Sequence, residues 1–224
     1  MDDVSESPRV QANAAVRRFL AGRDWSIQTP ARRRIVAGFL QLATARGFES
    51  VTMRTLAREV GVKAPSIYSS FPEGKDEIVA EALRSFTHAF AFDLLAGAEK
   101  ATSAEEYWAA LVRGHLAQQL QRPEPGLWDL LVATDKVARF LKDEVRADLD
   151  QWVRLHEDMY IAAAEEMGFE LSVQTVRVIF TFLDGARRWA DWSGSDGELA
   201  QLGDRSVALT RTLLNVSSGI RSPA

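Results

Sequence analysis

Residues 55–71, TLAREVGVKAPSIYSSF, hold a glycine and a proline four positions apart between two short segments with apolar faces. Gly61 can take the positive φ that ends one helix without steric cost. Pro65 suits the first turn of the next, where its missing N–H is harmless. Leu56, Ala57 and Val60 form the inner face before the turn, and Val62 and Ile67 fill the angle after it. Neither segment reaches the ~12–15 residues that an isolated helix needs in water, so neighbours must hold the pair. This is helix–turn–helix grammar: one helix braces, and the second is presented to a groove about 12 Å wide. The same pattern suits an αα corner in an ordinary helical bundle, and the spacing alone leaves both open.

Helical periodicity continues through nearly all of the chain. Thr29 and Pro30 read as an N-cap and first helical position, followed by Ile35, Val36, Phe39, Leu40, Leu42 and Ala43 at helical spacing and a stop at Gly47. Thr52 caps the bracing helix. A long helix is expected from about 76 to 97, with Val79, Ala82, Leu83, Phe86, Phe90 and Leu94 on one stripe. Further helices are expected near 104–121, 126–133, 136–167, 172–192 and 198–217. Strand-type alternation is missing, so the expected fold class is all-α. Residues 1–29 read as a polar N-terminal extension with one weakly amphipathic piece, VQANAAVRRFLA.

Composition narrows the function. The chain has no cysteine, which removes disulfides, thiolate metal sites and cysteine nucleophiles together. The first residues, MDDVSESPRV, lack the apolar core of a secretion signal, and no stretch approaches the ~20 apolar residues that span a bilayer. A cytoplasmic protein without membrane contact is expected. Net charge is −4, but residues 30–80 carry eight basic and five acidic side chains, whereas 81–224 carry 15 basic and 22 acidic. That asymmetry suggests one polyanion-facing part and one part with another task. The histidines, His88, His115 and His156, are widely separated and none stands in His-Glu-x-x-His spacing. WSGSDG lacks the Gly-x-Ser-x-Gly order of a nucleophile elbow. An enzyme is not expected, nor is a cofactor or metal.

Around the turn, ARGFESVTMRTLAREVGV precedes and IYSSFPEGKDEIV follows. Together they resemble the DNA-binding region of the tetracycline-repressor (TetR/AcrR) family of bacterial transcription regulators. The matching residues are Gly47, Phe48, Thr52, Leu56, Ala57, Gly61, Val62, Ile67, Tyr68, Phe71 and Lys75. Ser70 and Pro65 depart from the commonest family residues, so no relative's operator sequence carries over.

The resemblance implies an N-terminal three-helix helix–turn–helix DNA-binding domain at 30–77, and a C-terminal helical ligand-binding and dimerisation domain at 78–224. It implies a homodimer on palindromic operator DNA, released when a small apolar, aromatic or acyl-type effector binds. On this reading Tyr68 and Lys75 meet the DNA backbone, Thr52 and Arg54 reach the backbone or a base edge, and Lys63, Ala64, Ser66 and Ser69 face base edges. Arg32, Arg33 and Arg34 are either a minor-groove arm or a solvated cluster. Aromatic excess in the C-terminal part suggests effector contacts at Trp108, Trp128, Trp152, Tyr160 and Phe180, with His115, His156 and Asp184 as polar anchors. Val176, Phe180 and Leu183 on one stripe, with Leu209, Leu213 and Val216 on another, are the expected dimer interface. The alternative is a helical ligand-binding or adaptor protein with this fold and no specific DNA binding.

Overall fold

A computed structural model of the chain describes residues 6–22, 29–122 and 124–219. The described residues contain helices and turns and no strand. In chain order the helices are α1 (Pro8–Ala21), α2 (Pro30–Arg46), α3 (Met53–Glu59), α4 (Ala64–Ser70), α5 (Lys75–Ala98), α6 (Ala104–Gln121), α7 (Glu124–Ala138), α8 (Asp143–Glu166), α9 (Val173–Asp184), α10 (Ala186–Trp189) and α11 (Asp196–Gly219). No helix among the described residues is long and apolar enough to cross a membrane.

The chain packs as two compact units. One draws on Arg23–Ala89 and Pro123–Gln151, the other on Met1–Gly22, Phe90–Arg122 and Trp152–Ala224. This division differs from the expected boundary at 77/78, because α5 and α8 each contribute residues to both units and α7 belongs with the helix–turn–helix. The core of that unit joins Phe39, Leu56, Ile67, Phe71 and Ile78 to Leu127, Leu131, Leu141, Val145 and Leu149. Burying each such side chain contributes about 1.5–3 kcal/mol, enough for α7 and the start of α8 to be structural parts of the N-terminal domain.

The expected polar extension is a correction. Over Pro8–Ala21 it is a helix docked into its own unit: Arg9 pairs with Glu166 at 2.6 Å, buried Asn13 accepts from the Tyr107 hydroxyl at 2.7 Å, and Val16 is fully buried. Residues 1–5 and 23–28 of that extension lie outside the described residues. Two expected helices are also interrupted. Between α7 and α8, Arg139 takes φ 54, and buried Asp135 accepts from the Leu141 N–H at 2.7 Å, closing the turn. The expected helix at 172–192 breaks at Gly185 into α9 and α10.

Candidate nucleic-acid interface

The scaffold around α4 is built by local rules. The Thr29 hydroxyl accepts from the Arg32 N–H to start α2, and Gly47, at φ 83, ends it. Thr52 and Thr55 form a reciprocal cap on α3: the Thr52 hydroxyl accepts from the Thr55 N–H at 3.1 Å, and the Thr55 hydroxyl accepts from the Thr52 N–H at 2.9 Å. Gly61, at φ 67, then turns the chain, and the Val62 N–H closes on the Ala57 carbonyl at 2.9 Å. Gly38 on α2 lets α3 approach, since a Cβ there would stand 2.4 Å from Val60 Cγ1. Thr52→Ala is expected to cost about 1 kcal/mol of stability by removing the cap. Urea unfolding checks this, and Thr52→Ser should restore the loss.

These constraints orient α4. Ile67 is fully buried, whereas Lys63, Pro65, Ser66, Tyr68 and Ser69 are exposed and Ala64 is half-buried. Tyr68 is 48% exposed, and its ring edge lies over Gly74, where a Cβ would sit 3.6 Å from Cε1. The Ser69 hydroxyl donates back to the Pro65 carbonyl at 3.1 Å, which turns it partly toward its own helix. Thr52 and Arg54 are exposed at the start of α3, and Arg58 is exposed near its end. The short helix therefore shows one polar, donor-bearing face and fixes the other in the core.

Two basic residues do other work. Lys75, expected to meet phosphate, folds back: its ammonium donates to the Phe48 carbonyl at 3.0 Å and lies 3.8 Å from the centre of the Phe48 ring. Burial lowers its pKa, with Glu49 and Asp76 opposing. The Arg32 guanidinium lies 4.0 Å over the Phe71 ring, pairs with Glu77 at 3.2 Å and donates to the Ser70 carbonyl. Arg32 thus braces α4 and is no part of an arm, while Arg33 and Arg34 are exposed. Sequence reasoning missed this bracing role because it depends on a partner 38 residues away.

In the other unit, most of the expected effector residues converge. His115 and His156 lie with ring centres 5.0 Å apart, Trp152 stacks on His156 at 5.1 Å, and Phe180 lies 4.4 Å from His156 and 5.3 Å from Tyr160. Asp184 is joined to His115 at 2.8 Å. Phe90, which sequence reasoning placed only on a helix stripe, stands against both histidines and Trp152. Trp108 touches Tyr160, but its indole N–H is satisfied by Thr210 at 3.1 Å. Trp128 is a correction: it belongs to the N-terminal unit, packed near Phe86.

Burial, then the neighbouring His115, hold the His156 pKa well below its ordinary value. The unfolded chain regains a value near 6.5 and takes up a proton that the folded chain refuses. This group's stabilisation is therefore present above pH ~6.5 and lost as the pH falls below it. Between pH 7 and 5, unfolding free energy should fall more steeply in wild type than in His156→Phe, by up to about 1.4 kcal/mol per pH unit. Urea titrations at the two pH values measure the difference.

The expected dimer residues divide. Val176 and Leu183 are fully buried within their own subunit, and Phe180 turns toward the histidines, so these three do not face a partner. Their stripe is taken up by packing of α9 on α6 and α11. Leu209 and Val216 are exposed, Leu213 is half-buried, and Val178 of α9, which the expected set lacked, is 55% exposed.

Residues 35–82 match the sequence model of the bacterial regulatory proteins of the tetR family. No curated protein matches the chain significantly. Among solved structures, a bacterial regulatory protein of the tetR family from Rhodococcus RHA1 aligns over 83% of this chain and 97% of its own, at 15% identity and TM-score 0.70. A putative transcriptional regulator from Saccharomonospora viridis, in complex with choline, aligns over 83% and 95%, at 21% identity and TM-score 0.62. The superantigen PfiT aligns over 81% and 96%, at 24% identity and TM-score 0.65. The fold is thus that of tetR-type regulators, and the family match lies over the helix–turn–helix.

Proposed function

We propose that this chain, whose residues 35–82 match the tetR-family sequence model, is a ligand-responsive, sequence-specific transcriptional repressor acting in the cytoplasm as a homodimer. The observation that carries the reading is α4 itself, with Ile67 buried beneath it and Lys63, Ser66, Tyr68 and Ser69 on its open side. A fold alone does not assign a task, since the neighbours in fold include a protein named as a superantigen.

In this proposal residues 30–77 meet DNA and 78–224 hold the effector site and the dimer contacts. Lys63 donates to guanine or phosphate, Ala64 touches a thymine methyl, and Ser66 and Ser69 reach base edges. Thr52, Arg54 and Tyr68 hold the sugar–phosphate backbone and set the register. Lys75 acts indirectly, by fixing the turn at Phe48. Val178, Leu209, Leu213 and Val216 supply the apolar patch for a two-fold partner, which one helix per half-site requires. An effector that binds better to the arrangement unable to reach two half-sites weakens operator binding by the same factor, about 5–150-fold in such systems.

Tyr68→Phe tests the backbone contact. Tyr68 is an exposed residue, so loss of its hydroxyl should leave stability unchanged and weaken DNA binding about tenfold, as expected for a hydrogen bond to a charged group. Equal affinity of the two proteins in a gel shift would remove Tyr68 from the interface. Binding should also fall steeply with salt, with a slope set by the phosphates neutralised. A salt-independent interaction would favour the adaptor reading.

A further inference from the structure

The aromatic cluster around Phe180 contains buried polar atoms that have no partner. His115 Nδ1, His156 Nε2 and the Tyr160 hydroxyl are all out of solvent contact and without a hydrogen bond. Their rings converge on Phe180, whose centre is 5.2, 4.4 and 5.3 Å from them respectively. A buried polar group left unpaired costs about 1–3 kcal/mol, so three around one ring mark a place prepared for something else to bind.

The chemistry of these atoms restricts what that is. Asp184 Oδ1 lies 2.8 Å from both His115 Nε2 and Gln119 Nε2. A carboxylate only accepts, so the His115 proton facing Asp184 sits on Nε2, and in the neutral imidazole Nδ1 is then the acceptor. Any guest that satisfies Nδ1 must bring a donor. The Tyr160 hydroxyl is able to donate in return. Burial, and then the charge of Asp184, keep that hydroxyl protonated. The charged groups at the edge are already used: Asp184 accepts two donors, Arg187 donates to the Gln119 carbonyl at 2.6 Å, and Glu157 pairs with Arg177 at 2.8 Å. A charged guest would be desolvated there without a counter-charge.

Resting on the effector reading above, we propose that this site binds an uncharged apolar molecule bearing a hydroxyl, which donates to His115 Nδ1 and accepts from Tyr160 or His156. A hydroxyl both donates and accepts, so it can answer a bare acceptor and a free donor together. An ether or ketone leaves Nδ1 unfilled, and a carboxylate sets its lone pairs against that of Nδ1. Asp184 is a positioning residue, acting through the tautomer it imposes on His115.

Three matched probes test this on the full chain by calorimetry: para-propylphenol, para-propylanisole and para-propylbenzoate. The phenol should bind at least about tenfold tighter than either of the others, as for a site built to hydrogen-bond a hydroxyl. His115→Phe should bring phenol and anisole within about threefold of each other. Should that variant fail to fold, Asp184→Asn, at an exposed carboxylate, should narrow the same gap. In that variant the ¹⁵N shifts of His115 should report loss of the Nε2–H tautomer. Anisole equal to phenol, or benzoate tighter, overturns the hydroxyl proposal, and the effector reading then survives if that ligand releases DNA. Phenol preferred but with DNA retained leaves the site standing and removes the effector role. No binding by any probe overturns both.

Discussion

Ser66→Glu is expected to fold with unchanged stability and to lose DNA binding by about 100-fold or more. Ser66 lies on the open face of α4, where its side chain is exposed, and exposed substitutions typically move stability by no more than about 0.5 kcal/mol. In the proposed complex the same position faces a groove walled by phosphates. Like charges brought together in an interface cost several kcal/mol, and each ~1.4 kcal/mol is tenfold in affinity. The loss should be of similar size for every duplex sequence, because phosphate repulsion carries no sequence information. Fluorescence anisotropy on a labelled duplex, with parallel urea unfolding, separates the two effects. Unchanged affinity in a folded Ser66→Glu chain would take α4 out of the groove.

The second large effect lies beneath that surface. Phe39 is fully buried on α2, edge-on to Phe48 with ring centres 6.3 Å apart, in the core that also holds Leu56, Ile67 and Phe71. Truncating such a phenylalanine removes its transfer free energy and leaves a cavity, so Phe39→Ala should cost about 3–5 kcal/mol. That is a large share of the ~5–15 kcal/mol by which a domain is stable. DNA affinity should fall with it, although Phe39 lies in the core and not on the open face, because this core seats α4 through Ile67 and Phe71. Unfolding should be compared at one protein concentration, since the proposed dimerisation would add to apparent stability. A cost below about 1 kcal/mol would mean that the core tolerates the cavity by collapse, and that α4 is held otherwise.

What could be read from the residues follows a physical division. Thr29, Gly47, Thr52, Gly61 and Pro65 act within a few positions of themselves, through caps, positive φ and the first-turn tolerance of proline, and the helices they delimit stand where expected. Long-range choices were not legible. The stripe of Val176 and Leu183 shows that α9 has an apolar face, but periodicity does not say whether a partner or the subunit's own α6 and α11 covers it. Trp128 and Trp152 look alike as aromatic residues on helices, yet they belong to different units, because α7 joins the N-terminal core. Arg139 ends α7 in a left-handed conformation more usual for glycine or asparagine, with Asp135 closing the turn, so the break carried no compositional signal. Lys75 and Arg32 counted as positive charge in the sequence; in the fold they bind carbonyls and lie over phenylalanine rings.

The central claim is that two copies of α4 enter one face of a duplex and read it. Selection of the purified protein against a random-sequence pool of duplexes tests this most directly, with Ser66→Glu run in parallel. Wild type should enrich an inverted repeat whose half-site centres lie about 10–10.5 base pairs apart, or a multiple of that, and the variant should enrich nothing. Failure of wild type to enrich any sequence, or enrichment of the same sequence by both proteins, would contradict the account.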